Sequence, residues 1–156
     1  TIRGFVFAMM IGVIIGTYST LFVAIPLAYD IEKKKLEKGS SVVFISSAAG
    51  VYRVSMANAL YAVTKNGLDA FMRSAALELA NKQIRFNSVN PAIIETEALS
   101  NIPISEEQKK ANLEQYPLKR YGTPEEVAYA TIYLLSDASA WTTGTEIKLD
   151  GGLTLS

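Results

Sequence analysis

The run Val42-Val43-Phe44-Ile45 constrains the fold more than any other stretch of the chain. Its β-branched and aromatic residues carry no polar interruption. Such a run reads as a strand covered on both faces, the usual state of a parallel strand, rather than as an amphipathic one. Gly39-Ser40-Ser41 precede it, and it stops at Ser46-Ser47 with Gly50 close behind. A helical pattern follows from about Ala59 to Asn81. Leu60, Val63, Leu68, Phe71, Met72, Ala75, Ala76 and Leu79 recur there near a 3.6-residue period. Gln83 to Asn90 alternates as a second strand and meets Pro91, which ends it. Ser105-Glu106-Glu107-Gln108 and Thr123-Pro124-Glu125-Glu126 are capping-box helix starts, the second with proline at its first helical position. Val127, Ala130, Thr131, Leu134 and Leu135 give that last helix its apolar face. A third strand over Glu146–Leu149 closes at Asp150-Gly151-Gly152. Strands separated by helices predict α/β architecture, part of a doubly wound, Rossmann-like parallel sheet. With no strand before it, Val42–Ile45 is expected to present an open edge.

Chemistry concentrates where the first strand meets the helix. Tyr61 and Lys65 stand one turn apart and therefore share a face. A cation beside a phenol favours the phenolate, which lowers the phenol's pKa and suits it to proton transfer near neutrality. The Ser47 hydroxyl, at the strand end, is placed to hold a carbonyl or alcohol oxygen by a hydrogen bond. Taken alone, the pair reads more simply as a packed tyrosine and a solvated lysine; the flanking serine, the loop at Pro91 and the closing Asp-Gly-Gly reverse that reading. The loop after Gly50, with Tyr52, Arg53 and Met56, is either plain surface or the rim of a substrate entrance. Asn87 is expected to bond backbone at a strand end.

Composition removes several classes. Lys and Arg total 15 and Asp and Glu total 15, so nothing electrostatic favours nucleic acid. The chain has no cysteine and no histidine. Disulfides, thiolate chemistry, Ser-His triads and imidazole metal sites are thereby excluded, and no metal site is assigned.

From Gly4 to Tyr29 no side chain is charged. A helix of about 20 apolar residues spans a bilayer, so this segment is a candidate transmembrane helix. Arg3 precedes it and Lys33, Lys34, Lys35 and Lys38 follow, which places its C-terminal side in the cytoplasm. Ala8, Gly12, Gly16 and Thr20 form a small-residue stripe of the kind that lets such helices associate. Two units are therefore expected, an apolar helix over residues 1–35 and an α/β unit over 36–156. The α/β unit is expected in the cytoplasm, anchored at the membrane's inner face if residues 4–29 insert.

Two resemblances rest on these motifs. Ser47 with Gly50, Tyr61-Ala62-Val63-Thr64-Lys65, Asn87-Ser88-Val89-Asn90-Pro91 running on to Thr96, and Thr143-Gly144 through Asp150-Gly151-Gly152 stand in order over about residues 39–156. Together they resemble the catalytic half of the short-chain dehydrogenase/reductase family. The resemblance implies an NAD(P)-dependent oxidoreductase that interconverts a carbonyl and an alcohol on a small molecule. It implies Ser47, Tyr61 and Lys65 as catalytic, with Tyr61, Lys65, Pro91, Ala92, Ile94 and Thr96 along the NADP or NAD nicotinamide, and a homo-oligomer. It also implies a mobile substrate lid over 97–120, with Leu99, Ile102 and Ile104 as substrate contacts. At the position after the proline the family usually has glycine; here it is Ala92, which carries a penalty if that site needs a positive φ or a close cofactor approach.

Residues 1–35, with Arg3-Gly4-Phe5, Gly16-Thr17-Tyr18-Ser19 and Ala28-Tyr29-Asp30, are similar to the last transmembrane helix of the SecF or SecDF export subunit. On the other reading the segment is the reductase helix preceding the catalytic strand, and Gly16 then falls near the family's catalytic asparagine. Length and charge asymmetry favour the export resemblance, with the join between Asp30 and Gly39. A membrane-anchored export fragment with a non-catalytic reductase-like tail is thus the alternative function. No Gly-x-x-x-Gly-x-Gly turn for a pyrophosphate occurs in the sequence, so weak or absent activity is expected of this chain by itself.

Overall fold

The computed structural model describes residues 36–50, 52–54, 58–100 and 104–155. The apolar segment 4–29, its proposed membrane crossing and Gly16 lie outside them, as do Met56 and Ile102. Among the described residues no helix is long and apolar enough to cross a membrane.

Among the described residues three parallel strands form the sheet: β1 (Ser41–Ile45), β2 (Arg85–Pro91) and β3 (Glu146–Leu149), in that spatial order. Register runs from Ser41 beside Arg85 to Ile45 beside Val89, and from Ser88 beside Glu146 to Pro91 beside Leu149. β2, paired on both sides, is buried along almost its whole length, whereas β1 is half-buried and exposed at Ile45. Among the described residues β1 pairs with β2 alone.

Helix α1 (Ala59–Glu78) lies on one face and α4 (Pro124–Leu135) on the other. Strand alternation separates the two faces. Phe44 and Phe86 point toward Met72, Ala75 and Ala76 of α1, with Phe44 edge-on to Phe71. Ser41 and Arg85 point the other way, each donating to the Leu134 carbonyl at the end of α4. The result is a helix–sheet–helix sandwich. Between β2 and α4 come the short α2 (Glu97–Ser100) and α3 (Glu106–Glu114). The Ser105–Gln108 and Thr123–Glu126 boxes both form, each with reciprocal side-chain and backbone bonds.

Three expectations need correction. The long helix stops at Glu78 and passes into a 3-10 turn over Ala80–Lys82, where Gln83 takes a positive φ. Leu60 and Val63 are 58% and 64% exposed, so the apolar stripe of α1 is broader than the face it buries. Leu135, assigned to the covered side of α4, is 50% exposed; Leu134 alone in that pair is buried.

Candidate active site

In a parallel sheet with helices on both faces, ligands collect beyond the carboxyl ends of the strands. Here Ser46-Ser47, Ala92 and the Asp150-Gly151-Gly152 turn all lie at that end. The ladder continues past β1, because the Ser46 N–H donates to the Val89 carbonyl at 2.8 Å and the Ala48 N–H to Pro91 at 2.9 Å. Ser47 is therefore held on the sheet although it lies outside the strand.

Gly50 brings the helix to Ser47. Its φ is +94°, and a Cβ placed there would stand 2.5 Å from the Ala62 Cβ, inside α1. Only a residue without a side chain lets the loop touch the helix one residue beyond Tyr61. That close approach sets how far apart the serine and the phenol stand.

Ser47 and Tyr61 line the same cavity, of about 400 Å³, with Ala92 and Ile93 from the end of β2. The Ser47 hydroxyl oxygen accepts from the Ala49 N–H at 3.1 Å, and among the described residues its own proton has no acceptor. Tyr61 is 46% exposed, and its hydroxyl makes no hydrogen bond with the described residues. It is thus no packed tyrosine with a satisfied hydroxyl. Lys65 Nζ lies 5.7 Å from the Tyr61 ring centroid and donates to the Ile45 carbonyl at 2.9 Å. The ammonium is anchored on the last residue of β1, with its remaining N–H bonds unused there.

Behind this trio lies a buried polar cluster that sequence reasoning missed. Asp69, one turn after Lys65, is fully buried and accepts from the Ser46 hydroxyl and from Asn90 Nδ2, both at 2.8 Å. Asn90 also donates to the Ser47 carbonyl at 3.3 Å, and Ser46 reaches the Lys65 carbonyl at 3.2 Å. Asp69 Oδ1 has no partner among the described residues. The cluster fastens the residue before Ser47 to the turn after Lys65. Its only sequence signal was an acidic residue on the otherwise apolar side of a helix.

Ala92 does not have a positive φ, so glycine's conformational freedom is not needed there. Its N–H donates to the Leu149 carbonyl at 2.9 Å. Ile94 is bridged to Gly122 through the Ile93 carbonyl and the Glu95 N–H. This pattern turns the amide and carbonyl of Ile94 itself away from Gly122, and neither has a partner among the described residues. A free N–H and C=O on one residue match the donor and acceptor of a carboxamide, so the loop fits a nicotinamide. Thr96 caps the start of α2 by accepting from the Leu99 N–H at 3.3 Å. Asn87 bonds backbone, donating to Thr142 and accepting from Thr145, as expected.

The loop after Gly50 divides. Tyr52 turns away and donates to Glu146 Oε2 at 2.5 Å; burial, and next the Asp69 charge, push its phenol up. Arg53 faces the cavity and donates to Gln115, just past α3. From that same region come Asn112 and Tyr116, whose phenol is pushed up by burial. Leu99 and Ile104 line a separate cavity with Glu106 and Lys109 and do not reach Ser47 or Tyr61.

A family profile described as enoyl-(acyl carrier protein) reductase matches residues 18–154. A second, the C-terminal part of the protein export membrane protein SecD/SecF, matches residues 1–34 and overlaps the first. The chain is 38% identical over 119 residues to the 3-oxoacyl-(acyl-carrier-protein) reductase FabG of Thermotoga maritima, covering 76% of this chain and 47% of that protein. It is 37% identical over 112 residues to the L-xylulose reductase of Caenorhabditis elegans, covering 72% of this chain and 44% of that protein. A short chain dehydrogenase family protein from Francisella tularensis superposes with a TM-score of 0.76 at 32% identity, covering 88% of this chain and 60% of that one. A short-chain type dehydrogenase/reductase from Mycobacterium ulcerans gives 0.71 at 38% identity, over 76% and 42%. The chain spans about half the length of the curated relatives it matches.

Proposed function

The chain belongs to the short-chain dehydrogenase/reductase family, and from that premise we propose that residues 36–156 are the catalytic side of an NAD(P)-dependent oxidoreductase interconverting a carbonyl and an alcohol. One observation carries the reading: the Tyr61 hydroxyl and the Ser47 proton, neither with a partner among the described residues, open onto one cavity, with the Lys65 ammonium beside the phenol ring.

A bound nicotinamide supplies or takes the hydride. The protein's own residues do the rest. Ser47 donates its hydroxyl proton in a hydrogen bond to the substrate oxygen and so fixes the carbonyl. Tyr61 gives its proton to that oxygen in reduction and takes it back in oxidation. Lys65 supplies the positive charge beside the phenolate that remains. Pro91 and Ala92 floor the nicotinamide, the Ile94 amide and carbonyl hold its carboxamide, and Thr96 stands next to it. NADP and NAD both remain candidates, and a second copy of the chain is the expected partner.

The test uses reduced nicotinamide mononucleotide, which needs no pyrophosphate cradle, with a small ketone as acceptor. The full chain should oxidise it in a ketone-dependent way, and Tyr61→Phe should slow this about a hundredfold or more. Equal rates in the two proteins refute the assignment of Tyr61.

We further propose the division at residues 35 and 36. The 1–34 match to an export membrane protein supports it and favours a second reading, a membrane-anchored fragment whose tail does no chemistry. An alkaline wash of membranes separates the two: retention in the pellet supports an anchor, and complete release rejects it.

A further inference from the structure

The cavity that holds Ser47 and Tyr61 has one charged residue among its described lining, Arg53, and no acidic one. Its other polar wall is neutral: Asn58, Asn112, Gln115 and the Tyr116 phenol. Arg53 has no carboxylate partner among the described residues. Its guanidinium donates from Nη2 to Gln115 Oε1 and makes no other hydrogen bond or ion pair with the described residues. Four of its five N–H donors are thus unused in a partly enclosed space.

An arginine left this way is commonly a solvated surface cation, yet two features set this one apart. Its backbone is fastened at both ends of a tight loop, with the Arg53 N–H on the Ala48 carbonyl at 3.2 Å and the Gly50 N–H on the Arg53 carbonyl at 2.7 Å. Its side chain is held by a neutral amide, Gln115, whose Nε2 is turned back onto the Ala111 carbonyl at 3.5 Å. The guanidinium is therefore preorganised without being neutralised, and preorganisation of this kind lowers the cost of binding. A guanidinium offers a planar fork that matches a carboxylate with two parallel hydrogen bonds. The cavity, about 400 Å³, is of small-molecule size.

We infer that Arg53 sets the substrate class: an oxo acid, whose ketone oxygen meets Ser47 and Tyr61 while its carboxylate is received by Arg53 inside the same cavity. This rests on the oxidoreductase reading only for the ketone end. Gln115 acts as a positioning residue, aiming the fork.

Levulinate and its methyl ester share the ketone and the carbon chain and differ at the carboxyl end, a carboxylate in one and a neutral methyl ester in the other, and ligand-observed NMR titration into the full chain measures both. Levulinate should bind at least about tenfold more tightly than the ester, as loss of a charged hydrogen-bond pair implies. Raised salt should shrink that ratio in the unmodified protein. Arg53→Gln should bring the two ligands to within about twofold, and Arg53→Lys should keep part of the preference. Tyr61→Phe should leave it intact. Equal binding of acid and ester to the unmodified chain, no binding of levulinate, or a preference that survives Arg53→Gln overturns the inference and leaves Arg53 as a latch on Gln115. The two readings separate cleanly. An Arg53-dependent preference with no ketone-dependent oxidation of reduced nicotinamide mononucleotide supports the anion site and rejects the oxidoreductase reading. Reduction of the ester as fast as the acid does the reverse.

Discussion

Glu126 shows how much one side chain can join. It closes the capping box on the Thr123 N–H and takes two hydrogen bonds from Arg120, and these hold its carboxyl down from 4.5 to about 2. A depressed folded-state value means that the unfolded chain binds more protons between those limits. Stability from Glu126 is therefore complete above about pH 4.5 and is lost as the pH falls toward 2. Glu126→Gln should flatten that part of the stability-versus-pH curve, as followed by urea unfolding at a series of pH values, and should change little of its shape near neutrality. Gly50 makes a stricter demand. Gly50→Ala places a Cβ against Ala62 at an unfavourable φ, so it should cost roughly 2 kcal/mol or more in chemical unfolding. The same substitution should move Tyr61 relative to Ser47, and ketone reduction should fall further than stability alone explains.

At the level of elements, β1 and α1 are joined by polar bonds as well as by Phe44 and Phe71. Asp69, fully buried, accepts from Ser46 and Asn90, so Asp69→Ala leaves one Asn90 N–H without its acceptor and the Ser46 hydroxyl with only the longer bond to the Lys65 carbonyl. The expected cost is on the order of 2–4 kcal/mol in urea unfolding, and Asp69→Asn, which keeps an acceptor oxygen, should recover most of it. An alanine variant as stable as the parent would remove the cluster from the account. This cluster also marks where the sequence fell silent. Strand β3, both capping boxes and the run at Val42–Ile45 were legible because each rests on a local rule: apolar continuity, a side chain capping its own helix, a turn of glycines. The partners of Asp69 lie just past β1 and on β2, far off in sequence, so no local rule reports them. The exposed Leu60 and Val63 are the converse. Periodicity counts apolar positions, but it cannot tell which of two apolar faces the sheet covers.

Across the whole molecule, parallel pairing puts the ends of β1, β2 and β3 at one edge, and that edge gathers residues spread from Ser47 to Leu153. Ser47, Tyr61 and Lys65 were readable as a unit because the spacing of one helix turn fixes two of them and a strand end fixes the third. Arg53 and Gln115 were not, since their meeting depends on how α3 folds back over the loop. Leu99 and Ile104 mislead for the same reason: an apolar residue in that excursion can face either of two cavities.

The central claim is that these groups converge where a nicotinamide lies. Titration of the isotope-labelled chain with nicotinamide mononucleotide, followed by NMR, tests it most directly. The Ser47 and Ile94 amide signals and the Tyr61 ring signals should move together and saturate at one ligand concentration, while the indole of Trp141, fully exposed elsewhere, stays fixed. Movement of Ser47 without Tyr61, or no response at either, contradicts the convergence.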